Sequence, residues 1–123
     1  METTLFDGHG QPVAYIAADG EHSIYLWSGH AVAYVAEETL YGWNGQHLGW
    51  FVDGIIYDLQ GRRVGFVREK CPYVTYVEPV KFVKYVKYVK NVRHVAYVRA
   101  VLSLSASDQS LVDLLKKGAV GSV

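Results

Sequence analysis

The stretch Leu40-Tyr41-Gly42-Trp43-Asn44-Gly45-Gln46-His47-Leu48-Gly49-Trp50-Phe51 decides the fold. Asn-Gly between two apolar runs is a strong short-range signal for a β-hairpin, because both residues tolerate positive φ. The same pattern stands three more times around Gly10, Gly29 and Gly61. Five residues before each glycine is Leu5, Ile24, Leu40 or Ile56, followed by Phe6, Tyr25, Tyr41 or Tyr57. Three residues after it come Val13, Val32, Leu48 or Val64. A small residue follows (Ala14, Ala33, Gly49, Gly65), then an aromatic (Tyr15, Tyr34, Trp50, Phe66), then Ile16, Val35, Phe51 or Val67. Repeat spacings of 19, 16 and 16 residues are too short for helical repeats and suit a hairpin plus a link.

With two-residue loops, the aliphatic column pairs with the small column on one face. The first aromatic column then pairs with Val13, Val32, Leu48 and Val64 on the other. Both faces are apolar, so both need cover. The expected fold is mainly β: four tandem hairpins over residues 1–70, an arm over 71–102, and a short helix and tail over 103–123. Tyr15, Tyr34, Trp50 and Phe66 are the residues expected at an aromatic hub able to take an apolar ligand.

The repeat, from Leu5-Phe6 through Tyr57-Asp58-Leu59-Gln60-Gly61 to Phe66-Val67, resembles the bacterial four-fold β-flower proteins. The resemblance implies four hairpins set like petals and no established activity.

The arm has a different period. Valine stands at 74, 77, 80, 83, 86, 89, 92, 95, 98 and 101. Six of the residues preceding these valines are aromatic, and six of those following are basic: Lys81, Lys84, Lys87, Lys90, Arg93 and Arg99. Three residues turn an α-helix by 300° and a strand by 540°, so neither keeps the valines on one side. Polyproline II, with three residues per turn, does. The competing reading is a strand with an accidental period, supported by the β-propensity of Val and Tyr. Thirty residues of polyproline II reach about 90 Å, so the arm either leaves its domain or folds back. Val74, Val77, Val80, Val83, Val86, Val89, Val92, Val95 and Val98 are expected to be buried in a shared interface, with the lysines solvated.

Zero net charge conceals an asymmetry. Residues 1–69 hold three basic and nine acidic side chains, and residues 70–102 hold seven basic and one acidic. The basic arm is expected to meet the acidic part, in the same or a neighbouring subunit. The alternative partner is nucleic acid or another polyanion, contacted by Lys81, Lys84, Lys87, Lys90, Arg93 and Arg99 between stacking aromatics.

Residues 107–118 read as the one helix, capped by Ser107 or Asp108 and stopped by Gly118, with Leu111, Val112, Leu114 and Leu115 on its apolar face. The single cysteine, Cys71, excludes an intrachain disulfide framework. No apolar run has membrane-spanning length, and the first residues lack the pattern of a signal peptide, so a cytoplasmic protein is expected. No nucleotide-binding glycine motif, nucleophile elbow or spaced histidine pair is present. No catalytic residue, metal or cofactor is assigned. The expectation is a non-enzymatic, self-associating homo-oligomer with a structural or scaffold role.

Overall fold

In the computed structural model, which describes residues 2–121, eight antiparallel strands close into a barrel in sequence order. They are β1 (Thr3–Phe6), β2 (Pro12–Ile16), β3 (Ser23–Leu26), β4 (Ala31–Ala36), β5 (Thr39–Gly42), β6 (His47–Val52), β7 (Ile55–Tyr57) and β8 (Arg63–Phe66). The four glycine-centred hairpins are β1–β2, β3–β4, β5–β6 and β7–β8, and the Phe6–Phe66 pairing between β1 and β8 closes the ring. The aliphatic and small columns pair as expected: Leu5 with Ala14, Ile24 with Ala33, Leu40 with Gly49, and Ile56 with Gly65.

The turns differ from the two-residue expectation. In each hairpin the residue three before the glycine (Asp7, Leu26, Gly42, Asp58) donates its N–H across the loop, to the carbonyl of Gln11, His30, Gln46 or Arg62. The glycine N–H returns to the carbonyl of that first residue. The loops are therefore three residues long, a turn followed by a left-handed glycine with φ of 82°, 97°, 88° and 80°. Asp7, Asn44 and Asp58 reinforce them by accepting turn N–H groups on their side chains. The glycine bulge has a packing consequence. It shifts the register after Leu5, Ile24, Leu40 and Ile56, so Phe6, Tyr25, Tyr41 and Tyr57 pair with Pro12, Ala31, His47 and Arg63. Val32, Leu48 and Val64 are thereby left free to turn into the aliphatic core instead of joining the aromatic face.

The barrel interior holds the aliphatic and small columns, plugged by α1 (Leu111–Lys116), whose Leu111, Leu114 and Leu115 are buried in the same cluster. The small column makes room for the plug: a Cβ on Gly65 would meet the Leu111 side chain at 2.9 Å. The helix is shorter than the 107–118 expectation, and its cap is Ser110, whose Oγ accepts the Asp113 N–H at 3.2 Å. Ser107 is engaged elsewhere. Its N–H donates to the Arg63 carbonyl and its hydroxyl to Asp58, holding the preceding segment against β8.

The four aromatics expected at one hub do not meet there. The strand period of two sends them to the outer face, because the inner face carries the aliphatics. Tyr15 packs with Tyr25, Tyr34 with Tyr41 and Trp43, Phe66 with Ile55 and Tyr57, and Trp50 against His47.

Candidate functional site: the girdle arm

The arm encircles the barrel at the hairpin turns. Residues 74–101 contain neither helix nor strand. Every ninth residue docks on the next petal. The N–H groups of Tyr76, Tyr85, His94 and Ser103 donate to the carbonyls of Gly10, Gly29, Gly45 and Gly61, at 2.9, 3.0, 2.8 and 2.9 Å. The carbonyls of Val74, Val83, Val92 and Val101 press on the same four glycines where any Cβ would stand. The glycine column thus serves twice, since its left-handed φ forms each turn and its missing side chain seats the arm. Nine residues of polyproline II span about 28 Å, so four petals account for the arm's length without its leaving the domain.

Fixed phase gives each of the three arm faces one environment. The nine valines expected in a buried interface are uncovered in the single chain. Val74, Val83 and Val92, whose carbonyls touch the turn glycines, turn their side chains outward, as do Val77, Val80, Val86, Val89, Val95 and Val98 between them. With Val101, these valines are 86–95% exposed. The aromatics are half covered. The basic residues after the valines turn toward the barrel: the Lys87 and Lys90 side chains are 27% and 29% exposed, and those of Lys81, Lys84 and Arg99 39–43%. Within the chain the valines are thus more exposed than the lysines, which stay partly solvated while their charged ends lie on the barrel. The physical reason is that the outer barrel face offers aromatic rings and carboxylates, which suit cations better than they suit valine. This constant orientation at three residues per turn, with no hydrogen bonds inside the arm, is the polyproline II arrangement and excludes the strand reading.

The inward cations lie on the outer aromatic face. Lys81 sits 4.8 Å from the Tyr15 ring centre, Lys84 4.9 Å from Tyr25, Lys90 4.1 Å from Tyr34 and Arg93 4.8 Å from Tyr41. Such contacts contribute about 0.5–2 kcal/mol each, more as water is excluded. Each cation also has an anionic or hydroxyl partner. Lys81 and Lys84 pair with Glu2, and Lys87 bridges Asp19 at 2.7 Å and Glu21 at 3.1 Å. Lys90 reaches Glu21 at 2.8 Å, Arg99 reaches Glu38 at 2.7 Å, and Arg93 donates to the Tyr34 hydroxyl. The charge asymmetry is therefore matched inside one chain. The six cations named as possible polyanion contacts all have partners on their own barrel.

Burial opposes the charges of both Asp19 and Lys87, but their mutual hydrogen bond and those of neighbouring groups outweigh it. Asp19 is held well below the usual carboxylate range, and Lys87 is pushed up. Hydrogen bonding from Lys81 lowers Glu2, and that from Lys90 and Lys87 lowers Glu21.

Several partners carry no sequence signal. Trp43 Nε1 donates to the Tyr88 carbonyl at 2.5 Å. His47 is buried. One ring nitrogen, Nε2, bonds the Gly49 carbonyl, and Nδ1 accepts the Tyr97 N–H at 3.0 Å. Where the inward position is acidic, the barrel reverses its sign: Glu78 pairs with Arg68 at 3.1 Å. The nine-residue docking interval is hidden because the valine repeat is uniform and marks every third residue alike.

Among the described residues, no group of three or more histidine, cysteine or acidic side chains is arranged to hold a metal ion. No described helix is long and apolar enough to cross a membrane. No curated protein and no solved structure matches the chain. A family model described as the 4-fold beta flower protein matches residues 3–115, which takes in the hairpins, the arm and most of α1. With four petals, an encircling arm and a match over nearly all its length, the chain belongs to the four-fold β-flower family.

Proposed function

We propose that the chain is a non-enzymatic structural module that associates with further copies of itself through the valine face of the girdle. The observation that carries this reading is the uncharged line of ten valines, all at least 86% exposed, on an arm whose cations are engaged inward. Polyproline II spaces those valines about 9 Å apart. A second copy carries the same interval, so its valines fit between these at every step; a partner of another sequence would have to match that interval by coincidence. Each buried valine contributes about 1.5 kcal/mol, against an association cost of about 4–15 kcal/mol. Three valines per copy give about 9 kcal/mol by that measure, so a stable contact engages nearer five.

Light scattering on the full chain at micromolar concentration tests this. The expected result is an oligomeric mass that persists in 1 M salt and falls to the monomer when Val83, Val86 and Val89 are all changed to Ser. A monomeric wild type at every concentration, or an oligomer indifferent to the three serines, overturns the reading.

A further inference from the structure

The girdle is open at one place. The arm starts beside hairpin 1, where Cys71 Sγ contacts the Asp7 carbonyl. It ends along β8, where Ser103 and Ser107 bond Gly61 and Arg63. Between these ends lies a cleft of about 440 Å³, within the usual range for small-molecule sites of roughly 300–1,000 Å³. We propose that this seam cleft binds a small planar aromatic carboxylate.

The cleft is lined by apolar Phe66, Val64 and Leu111, with His9 and Tyr73 beside them at a ring-centre distance of 5.9 Å. At the second petal the equivalent pair, His30 and Tyr85, is closed to 4.4 Å. Arm lysines cover Tyr15, Tyr25 and Trp43 of the first three petals, but the inward position after Val74 is Thr75, which is occupied with Arg68, and no lysine is among the described residues lining the seam. Phe66, only 5% exposed and packed with Ile55, Tyr57 and Leu102, gives the cleft an apolar wall, and the ring faces open to a ligand are those of the exposed His9 and Tyr73.

The polar groups define the other half of the ligand. Two carboxylates border the cleft, and both are engaged: Asp7 Oδ1 accepts the N–H groups of His9 and Gln11, and Asp108 pairs with Arg62 at 3.1 Å. Arg63 donates only Nε, to the Ser103 carbonyl at 3.2 Å, among the described residues. The rest of its guanidinium edge is available, and its planar fork matches a carboxylate. No ring nitrogen of His9 has a described partner, which supplies a second polar contact next to the stacking surface.

The test is a titration of the ¹⁵N-labelled full chain, followed by amide shifts, with indole-3-acetate, indole and acetate as separate probes. The expected result is saturable shifts from indole-3-acetate at Gly8, His9, Arg63 and Tyr73. Indole or acetate should bind at least about tenfold more weakly, and Arg63→Gln should weaken indole-3-acetate by about tenfold while the spectrum stays dispersed. Absence of saturable shifts in the wild type overturns the site, whatever the variant does. Indole binding as tightly as indole-3-acetate, or an unaffected Arg63→Gln, overturns the carboxylate assignment.

Discussion

The barrel and the arm use the same residue types in opposite ways. In the barrel, Val32, Leu48 and Leu5 are inside and the charges, Arg63 of β8 apart, are at the turns and links. In the arm, valine is the most exposed residue and lysine is turned toward the protein. The difference comes from period and partner. A strand has two faces, and in the barrel the inner one is covered by the apolar plug and the outer one by the arm. A threefold backbone has three faces, and only one of them meets the barrel. That face fits an aromatic, acidic wall, so it carries cations. Hydropathy ranks which groups gain from leaving water, while the available partner decides which of them do so.

The largest expected break in this comparison is between two apolar truncations. Leu115→Ala, in the plug, should cost about 2–5 kcal/mol, whereas Val86→Ala should change the stability of the single chain by less than about 0.5 kcal/mol. Denaturant midpoints measure both, and comparable losses would mean that the arm valines are buried. The joint between barrel and arm comes next. Gly45→Ala places a Cβ at a φ of 88° and against the Val92 carbonyl, with an expected cost of about 3 kcal/mol from left-handed strain and a displaced arm. Proteolysis should then cut the arm near Val92 faster than in the wild type, and an unchanged cleavage pattern would argue against the docking contact.

Removing the cations Lys84, Lys87 and Lys90 together, each to Gln, should cost about 2–3 kcal/mol from lost ring and carboxylate contacts and loosen the arm without unfolding the barrel. Hydrogen exchange at Tyr85 and His94 would show this, and unaltered protection would mean the lysines contribute only solubility. The same contacts give an acid dependence. Glu2, Asp19 and Glu21 ionise more readily in the folded state, so the stability they add is present above their ordinary range and lost as pH falls below about 4.5.

The smallest effect is at His47. Burial lowers its affinity for a proton in the folded state, so the unfolded chain protonates first. Stability is full above about pH 6.5 and declines as pH falls from there toward the folded value. A proton on Nδ1 would also displace the Tyr97 N–H. His47→Gln keeps a donor and an acceptor and should flatten this part of the pH–stability curve, and a slope unchanged by the substitution would assign it to another group.

Much of this architecture is legible in the chain. The six-column repeat contains the strand period, the turn glycine and the paired aliphatic and small positions, because those depend on neighbours within about ten residues. The period of three favours a threefold backbone, and the observed constant orientation of the arm removes the strand alternative. Loop length is not legible, since Asn-Gly suits a two-residue turn and a glycine bulge equally, and α1 begins late because Ser107 is drawn to Asp58. The outward turn of Val77, Val80, Val95 and Val98 is not legible either, because the period groups them on one face without saying what that face meets. The seam cleft has no sequence signal, as His9, Arg63 and Tyr73 are far apart in the chain and are brought together by ring closure.

The sequence alone determined the hairpins, the three arm faces and the opposite charges of barrel and arm, all of which follow from local periodicity and composition. Tertiary structure decided which way each face points. Closing eight strands put the aliphatics inside and the tyrosines outside. That outer wall took the lysines, turned the valines away from the barrel, and set the nine-residue interval at which the arm crosses the petals.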